Sequence, residues 1–376
     1  IGDIIKIGLV SPYDHSTIGG VRDHVNNLAN QFRILGHEVK IIAPYSTSTN
    51  SIPDGVIPMG KAFPIPTGGS IARISFSVWL RPKIKKLINE EKFDILHLHE
   101  PMAGALTMNM LAISSENSVK KIGTFHTFGG TKLYRIGAKR IAQRYFKNLD
   151  GRIAVSIPAY EFINKYLPAD YEIIPNGIDY QLFNNAKPFD NLLDGKINLL
   201  FVGRLEKRKG LKYLLAAYSK LKWEWPNLRL LVVGPGKLDI DSIRIISERN
   251  LKDIIFVGSV SDNDKARYYK SADIYSSPAT GKESFGIVLL EAMASGLPIV
   301  ASAIEGYSNV ITNEHDGLLF EPKNEDSLIK SIEKLLNDID LRQKLSKNAL
   351  NTAQNFKWSI IANRVMEYYL KILNTN

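Results

Sequence analysis

Two glutamates, Glu283 and Glu291, flank the seven residues Ser-Phe-Gly-Ile-Val-Leu-Leu. The first lies in a polar, glycine-containing turn. The second falls inside an apolar run that reads as a helix ending near Gly296-Leu297-Pro298. A carboxylate just ahead of a helix can accept protons from sugar hydroxyls. The free amides of the Ser284-Phe285-Gly286-Ile287 turn, aided by the helix dipole, can hold anionic oxygens. Glu291, deeper in the helix, can take a ribose diol. Such a pair suits a nucleotide-sugar; a surface loop and helix carrying two unrelated glutamates fits the same letters.

Other polar residues fall just after strand-like runs. Ser11-Pro-Tyr13-Asp-His-Ser-Thr-Ile-Gly19-Gly20 leads from a strand into a helix, and paired glycines there let backbone amides approach a diphosphate. The spacing is not that of a dinucleotide fingerprint, and a plain tight turn reads the same way. His126 ends another strand, where it can donate to a sugar hydroxyl or serve as a satisfied structural histidine. Gly203-Arg204-Leu-Glu-Lys-Arg-Lys209-Gly210 sets Arg204 and Lys209 where they can neutralise a departing diphosphate in place of a metal. Gly234, in a further strand-end turn, is expected to take part in donor binding. Asp262 suits the two adjacent N–H donors of guanine, or else caps the helix that follows it.

The elements that position these residues are short apolar strands alternating with amphipathic helices. The first series is Lys6–Val10, Glu38–Ala43, Asp94–His99, Lys121–Phe125, Arg152–Val155 and Glu172–Ile174. The second is Asn198–Val202, Arg229–Val233, Ile254–Val257, Asp273–Tyr275, Ile299–Ala301 and Gly317–Phe320. Near-continuous apolar strands indicate parallel sheets covered on both faces, and two series indicate two doubly wound α/β domains. The expected division is 1–178, 179–357 and a terminal helix, 358–376, that packs back on the first domain. In such sheets ligands bind beyond the carboxyl ends of the strands, where every motif above falls.

The chain of 376 residues has no cysteine and a formal charge of +10. Disulfides, thiolate nucleophiles and cysteine metal sites are excluded, and a reducing cytoplasm is allowed. The excess positive charge attracts nucleotides, nucleic acid or acidic lipid. No basic repeat interleaved with aromatics marks a nucleic-acid module, so nucleic acid is not expected as a partner. No HExxH, Cys/His cluster or acidic pair at a strand end stands out, so no essential metal and no cofactor is expected. The absence of G-x-S-x-G argues against a serine hydrolase.

The order Gly19-Gly20, His126, Arg204…Lys209 and Glu283-x7-Glu291 resembles the retaining GT-B glycosyltransferases of the large group 1, sucrose-synthase-like family, over nearly the whole chain. The first half looks most like phosphatidylinositol mannosyltransferase. Gly60-Lys-Ala-Phe-Pro-Ile-Pro66, Leu96-His-Leu-His-Glu-Pro101, Thr124-Phe-His-Thr127 and Ile174-Pro-Asn-Gly-Ile-Asp179 carry that likeness. The resemblance implies two Rossmann-like domains facing across a cleft, the first binding acceptor and the second binding donor. It implies that Gly20 lies against the donor diphosphate, Arg204 and Lys209 bind the phosphates, and His126 and Glu283 bind the transferred sugar. Glu291 would take the ribose, and Asp262 with Lys265 would hold guanine. Transfer would proceed with retention, the leaving diphosphate helping to deprotonate the acceptor. The donor expected first is GDP-mannose and the acceptor a lipid or polyol, held by Tyr13, Arg22, Thr127 and Lys132. Departures from the mannosyltransferase pattern fall on the acceptor side, at Arg22, Thr67-Gly68 and Met102, and in a spacing from His126 to Lys132 that is one residue longer. The alternatives are a UDP-sugar transferase with a small polar acceptor, a nucleotide-sugar epimerase on the same fold, and a non-enzymatic nucleotide-sugar-binding scaffold.

The run from Ile71 to Lys92 carries Arg73, Trp79, Arg81, Lys83, Lys85 and Lys86. That composition suits peripheral docking on an anionic bilayer, at the inner face of the membrane for a cytoplasmic enzyme. Pro82 interrupts any helix begun upstream. Alternatively Ile84, Leu87 and Ile88 face the core and the lysines simply face water.

Overall fold

The computed structural model describes residues 3–17, 19–46, 52–67, 70–75, 78–113, 119–126 and 139–375. The chain forms two compact units, Ile1–Gly177 with Trp358–Asn376, and Ile178–Lys357.

The first unit is built on strands β1 (Lys6–Val10), β2 (Glu38–Ala43) and β3 (Val56–Pro58). A hairpin of β4 (Ala62–Thr67) and β5 (Ser70–Ser75) follows, then β6 (Ile95–His99), β7 (Lys120–Phe125), β8 (Gly151–Ala154) and β9 (Glu172–Ile173). Seven strands form one sheet in the order β3-β2-β1-β6-β7-β8-β9, with every pair parallel. Helices α1 (Gly20–Ile34), α2 (Arg81–Glu91), α3 (Ala105–Ala112), α4 (Lys139–Phe146) and α5 (Ile157–Tyr166) fill the crossovers. The strands are buried almost end to end, as a sheet covered on both faces requires. The hairpin was not expected from sequence, because Pro64 and Pro66 argue against a ladder. Standing apart as a two-stranded antiparallel pair, it tolerates them.

The second unit repeats the plan. Strands β10 (Ile197–Val202), β11 (Leu228–Val233), β12 (Ile254–Gly258), β13 (Ile274–Ser277), β14 (Ile299–Ser302) and β15 (Leu318–Phe320) pair in the order β12-β11-β10-β13-β14-β15, again all parallel. Helices α6 (Tyr180–Asn185), α7 (Leu211–Glu224), α8 (Ile240–Glu248), α9 (Asp262–Lys270), α10 (Ile287–Ala294), α11 (Glu305–Ser308), α12 (Glu325–Asn337) and α13 (Ile339–Gln354) flank it.

The last helix, α14 (Trp358–Leu373), returns to the first unit. Its Trp358, Ile361, Ala362, Val365, Met366 and Tyr369 join Val25, Leu28, Ala29 and Phe32 of α1 in one core. Truncating a buried aromatic such as Trp358 costs about 3–5 kcal/mol, so the unit depends on this late segment. The chain makes room for it at Gly177, where a Cβ would meet the Trp358 ring at 2.4 Å.

In both sheets the strand order reverses direction between the first and fourth strands of the main series, β1 and β6 in one and β10 and β13 in the other. A doubly wound sheet opens a crevice at the carboxyl ends of such a pair.

Candidate functional site

In the second unit the crevice strands are β10 and β13. After β10 the chain runs through Gly203 and Arg204 into a short 3-10 turn, Lys207–Lys209, before α7 begins. After β13 it runs through Pro278 and Ala279 to Glu283. The two loops are tied together, since the N–H of Thr280 donates to the Arg208 carbonyl at 2.8 Å. Lys209 Nζ then lies 2.8 Å from Glu283 Oε1, with both side chains only 12% exposed. Arg208 donates to the same oxygen through Nη1 and to Glu206 Oε2 through Nε at 2.7 Å. Arg204 contacts Glu206 Oε1 at 3.1 Å and is half exposed. The result is an alternating cluster in which one nearly buried carboxylate, Glu283, is held by two cations.

Glu283, Lys209 and Arg204 are the members of this cluster expected from the sequence; Arg208 and Glu206 are not. The 3-10 turn aims Arg208 inward at Glu283, whereas Arg204 reaches towards solvent. The only sequence signal was position, since Arg208 adjoins Lys209 in the same basic loop.

Beyond Glu283, Ser284 and Phe285 lead to Gly286, the N-cap of α10, whose φ of +82° is a left-handed value suited to glycine. A Cβ there would meet the Tyr307 ring at 2.8 Å. No side chain caps the helix, so the first amides of α10, from Ile287 on, carry no side-chain cap partner. Glu291, 7% exposed, sits one turn in: Oε1 accepts from Lys265 Nζ at 2.8 Å and Oε2 from the Tyr269 hydroxyl at 3.0 Å. Burial alone would lower the Lys265 pKa, but Glu291 and Asp262 outweigh it and raise the pKa above the usual lysine value. Burial and then Glu291 hold the Tyr269 phenol protonated. Asp262 contacts Lys265 at 2.9 Å and is 74% exposed. It does not cap its helix. Ser261 is the N-cap of α9, its side chain accepting from the Asp264 N–H, and Asp262 is the first helical residue. The serine wins because its hydroxyl is one residue nearer the start. Gly234 serves backbone packing, since a Cβ there would lie 2.1 Å from the Gly203 carbonyl oxygen.

In the first unit Gly19 is the extended N-cap of α1 and Gly20 its first residue. Among the described residues, a Cβ at either would meet nothing within 4 Å. Protein packing therefore does not demand glycine here, which leaves the space open to a ligand. His126 follows β7, and its N–H donates to Glu100 Oε1 at 2.7 Å. Glu100 follows β6 with φ +48°, an uncommon value for a non-glycine residue, and is nearly fully buried. Four histidines converge here. His97 bonds Tyr369 and Thr124, His24 bonds Asn176, and His99 bonds His126. Burial first, and then neighbouring histidines, keep the His99 and His126 pKa values well below the ordinary histidine range. Among the described residues His24, His99 and His126 also form the one set close enough to share a metal ion, with ring nitrogens within 4.8 Å of one another.

Tyr13 is held protonated by burial and then by Glu100. Arg22 lies in the first turn of α1, and among the described residues its buried Nε has no hydrogen-bond partner. Thr127 and Lys132 lie outside the described residues.

In the basic run Arg81 begins α2, with Pro82 in its first turn, and Ile84 and Ile88 are buried. Lys83, Lys85, Lys86 and Arg73 are exposed, and Trp79 is 86% exposed. Arg81 is partly engaged, its Nε donating to Asn109 at 3.0 Å, and Lys86 faces Glu90 at 3.6 Å. No helix among the described residues is long and apolar enough to cross a membrane.

Two family models match, glycosyl transferases group 1 over residues 183–352 and glycosyltransferase family 4 over residues 18–182. The chain is 37% identical over 366 residues to phosphatidyl-myo-inositol mannosyltransferase of Mycolicibacterium smegmatis, spanning 97% of this chain and 93% of the relative. It is 37% identical over 374 residues to the Mycobacterium tuberculosis protein of the same name, spanning 97% and 96%. A glycosyltransferase from Rickettsia africae matches with a TM-score of 0.80 at 22% identity, over 100% of both chains. Sucrose-phosphate synthase from Thermosynechococcus elongatus matches at 0.76 and 22%, over 99% and 100%. The two Rossmann-like sheets are thus those of the GT-B fold, and the chain belongs to the group 1 glycosyltransferases.

Proposed function

We propose that this glycosyltransferase moves mannose from GDP-mannose to an inositol phospholipid, with retention of configuration and without an essential metal. The observation that carries the reading is the 37% identity, over 97% of the chain, to relatives named as phosphatidyl-myo-inositol mannosyltransferases. The site chemistry supports it. Arg204 and Lys209 supply positive charge for a departing diphosphate, work that requires stabilising a leaving group rather than making a covalent bond to protein. Glu283, fixed by Arg208 and Lys209, accepts from hydroxyls of the transferred sugar, and His126 contributes a further polar contact. Glu291 has lone pairs left for the ribose after serving Lys265 and Tyr269. The open Asp262 carboxylate accepts both N–H donors of guanine. The diphosphate oxygen released at the anomeric carbon takes the acceptor proton on the same face, so no protein nucleophile is needed.

On the acceptor side, the Arg22 Nε is a donor without an acceptor among the described residues and favours an anionic or hydroxyl-rich substrate. Tyr13, Thr127 and Lys132 complete the proposed acceptor set. Trp79 with Arg73, Lys83, Lys85 and Lys86 would rest on anionic lipid where such an acceptor resides, each free cation adding about 1 kcal/mol; Arg81, bonded to Asn109, contributes less.

The test is a panel of nucleotide-sugars, each with phosphatidylinositol vesicles, a soluble polyol or no acceptor, followed by nucleoside diphosphate release. GDP release that requires both GDP-mannose and phosphatidylinositol is expected. Turnover of a UDP-sugar onto a small polar acceptor, or a new nucleotide-sugar formed without acceptor, would contradict the proposal.

A further inference from the structure

The histidine cluster of the first unit contains one bond whose direction can be worked out. His99 is fully buried, and its Nδ1 lies 3.1 Å from His126 Nε2, the rings stacked at 29°. One of these nitrogens must carry the proton. If His126 Nε2–H donates, the remaining proton of a neutral His99 sits on its own Nε2, a buried atom with no hydrogen-bond partner among the described residues. If His99 Nδ1–H donates, His99 Nε2 is an underused acceptor. Buried donors without acceptors are the rarer and costlier of the two.

The surroundings reinforce this choice. Both nitrogens of His97 are taken, by Tyr369 and Thr124 at 2.6 Å each. The Nδ1 of His24 is taken by Asn176 at 2.9 Å, and its ring meets His99 edge-on at 5.2 Å between centroids. Among the described residues none of these rings bonds His99 Nε2. Burial keeps these rings neutral, so the pair shares one proton in the bond instead of repelling as two cations.

We propose that His99 is a positioning residue for His126: its Nδ1–H donates to His126 Nε2, which fixes the His126 proton on Nδ1. The ring of His126 is then a hydrogen-bond donor at its other nitrogen, matched to an oxygen acceptor such as a sugar hydroxyl. Glu100 fixes the same residue from behind by accepting its backbone N–H at 2.7 Å. This inference rests on the reading that His126 contacts the transferred sugar only for its catalytic consequence; the proton position stands independently.

Nitrogen-15 NMR of histidine-labelled protein at neutral pH gives the position directly. His126 is expected to show a protonated Nδ1 and an unprotonated Nε2. His99→Phe, which keeps bulk and removes the donor, is expected to mix the two tautomers and to lower kcat by at least about tenfold with little change in donor KM. His99→Asn, whose amide can replace the Nδ1–H, is expected to restore most of both. A wild-type His126 protonated on Nε2 overturns the proposal, as do Phe and Asn variants that behave alike. Should the Phe variant not fold, the wild-type spectrum still decides. A His126→Ala enzyme with the wild-type rate would sink the sugar-contact reading, while the proton position read in the wild type would stand.

Discussion

The two units solve the problem of holding a polar side chain in opposite ways. In the second, Glu283 is fixed by charge: Lys209 and Arg208 share one of its oxygens, and Glu206 in turn holds Arg208 and Arg204. In the first, the His126 ring is fixed by a neutral histidine, while the Glu100 carboxylate holds only its backbone N–H. A charged cluster can stabilise charge that develops on a leaving group, because its field is already in place. A pair of neutral rings cannot do that, but it sets which atom donates. The units should therefore respond differently to substitution and to acid.

The largest effect should come from breaking the charged cluster. Glu283→Ala and Lys209→Ala are each expected to lower turnover about a hundredfold or more at saturating donor, with circular dichroism unchanged. Arg208→Ala should fall in the same class, because it frees Glu283 to move. Arg204→Ala should also lose about a hundredfold if the half-exposed guanidinium turns to the diphosphate. Near-wild-type rates in these variants would detach the cluster from the chemistry.

Acid should separate the two regions next. Burial pushes the pKa of His24 down to about 4 and that of His97 to about 3, against about 6.5 in the unfolded chain. Their folded pKa values are depressed, so the stability tied to their neutral forms is complete above pH 6.5. It is lost as pH falls from there towards 4 and 3, at up to about 1.4 kcal/mol per pH unit for each histidine. In the second unit Lys196 and then Lys222 lower the Asp253 pKa to about 2, so its contribution persists until pH falls below the usual carboxylate range. Hydrogen exchange at pH 5 against pH 7 should show protection lost in strands β6 and β7 before β10 and β11. The reverse order would break the comparison.

A smaller effect concerns the donor base. GDP is expected to bind roughly tenfold more tightly than UDP, because guanine offers the Asp262 carboxylate two charge-assisted hydrogen bonds where uracil offers one. Asp262→Asn should erase the preference in calorimetric titration, whereas equal affinities in the wild type would remove the guanine assignment. Smallest of all, Lys83→Ala is expected to weaken binding to vesicles containing anionic lipid about fivefold, the equivalent of about 1 kcal/mol. An unchanged affinity would return that helix face to plain solvent.

The parallel strands were legible because continuous apolar runs such as Leu230-Leu-Val-Val233 have few other uses. The β4–β5 hairpin was not, since its prolines read as breakers. At the site, Glu283 and Lys209 could be found because residue type and loop position coincide. Arg208 and Glu206 could not, because a single 3-10 turn decides that two of three neighbouring cations, Arg208 and Lys209, reach Glu283. The His24, His99 and His126 group comes from three separate elements and is invisible to local spacing. His97-x-His99 on one strand did carry a signal, since alternate residues of a strand face the same side.

The central claim is retaining mannosyl transfer supported by protein cations alone. It is tested most directly by the anomeric configuration of the product made from GDP-α-mannose and phosphatidylinositol in excess EDTA, read by proton NMR. An α-mannoside formed at the rate seen without chelator is the expected result. A β-mannoside, or no product until magnesium or manganese is restored, would contradict it.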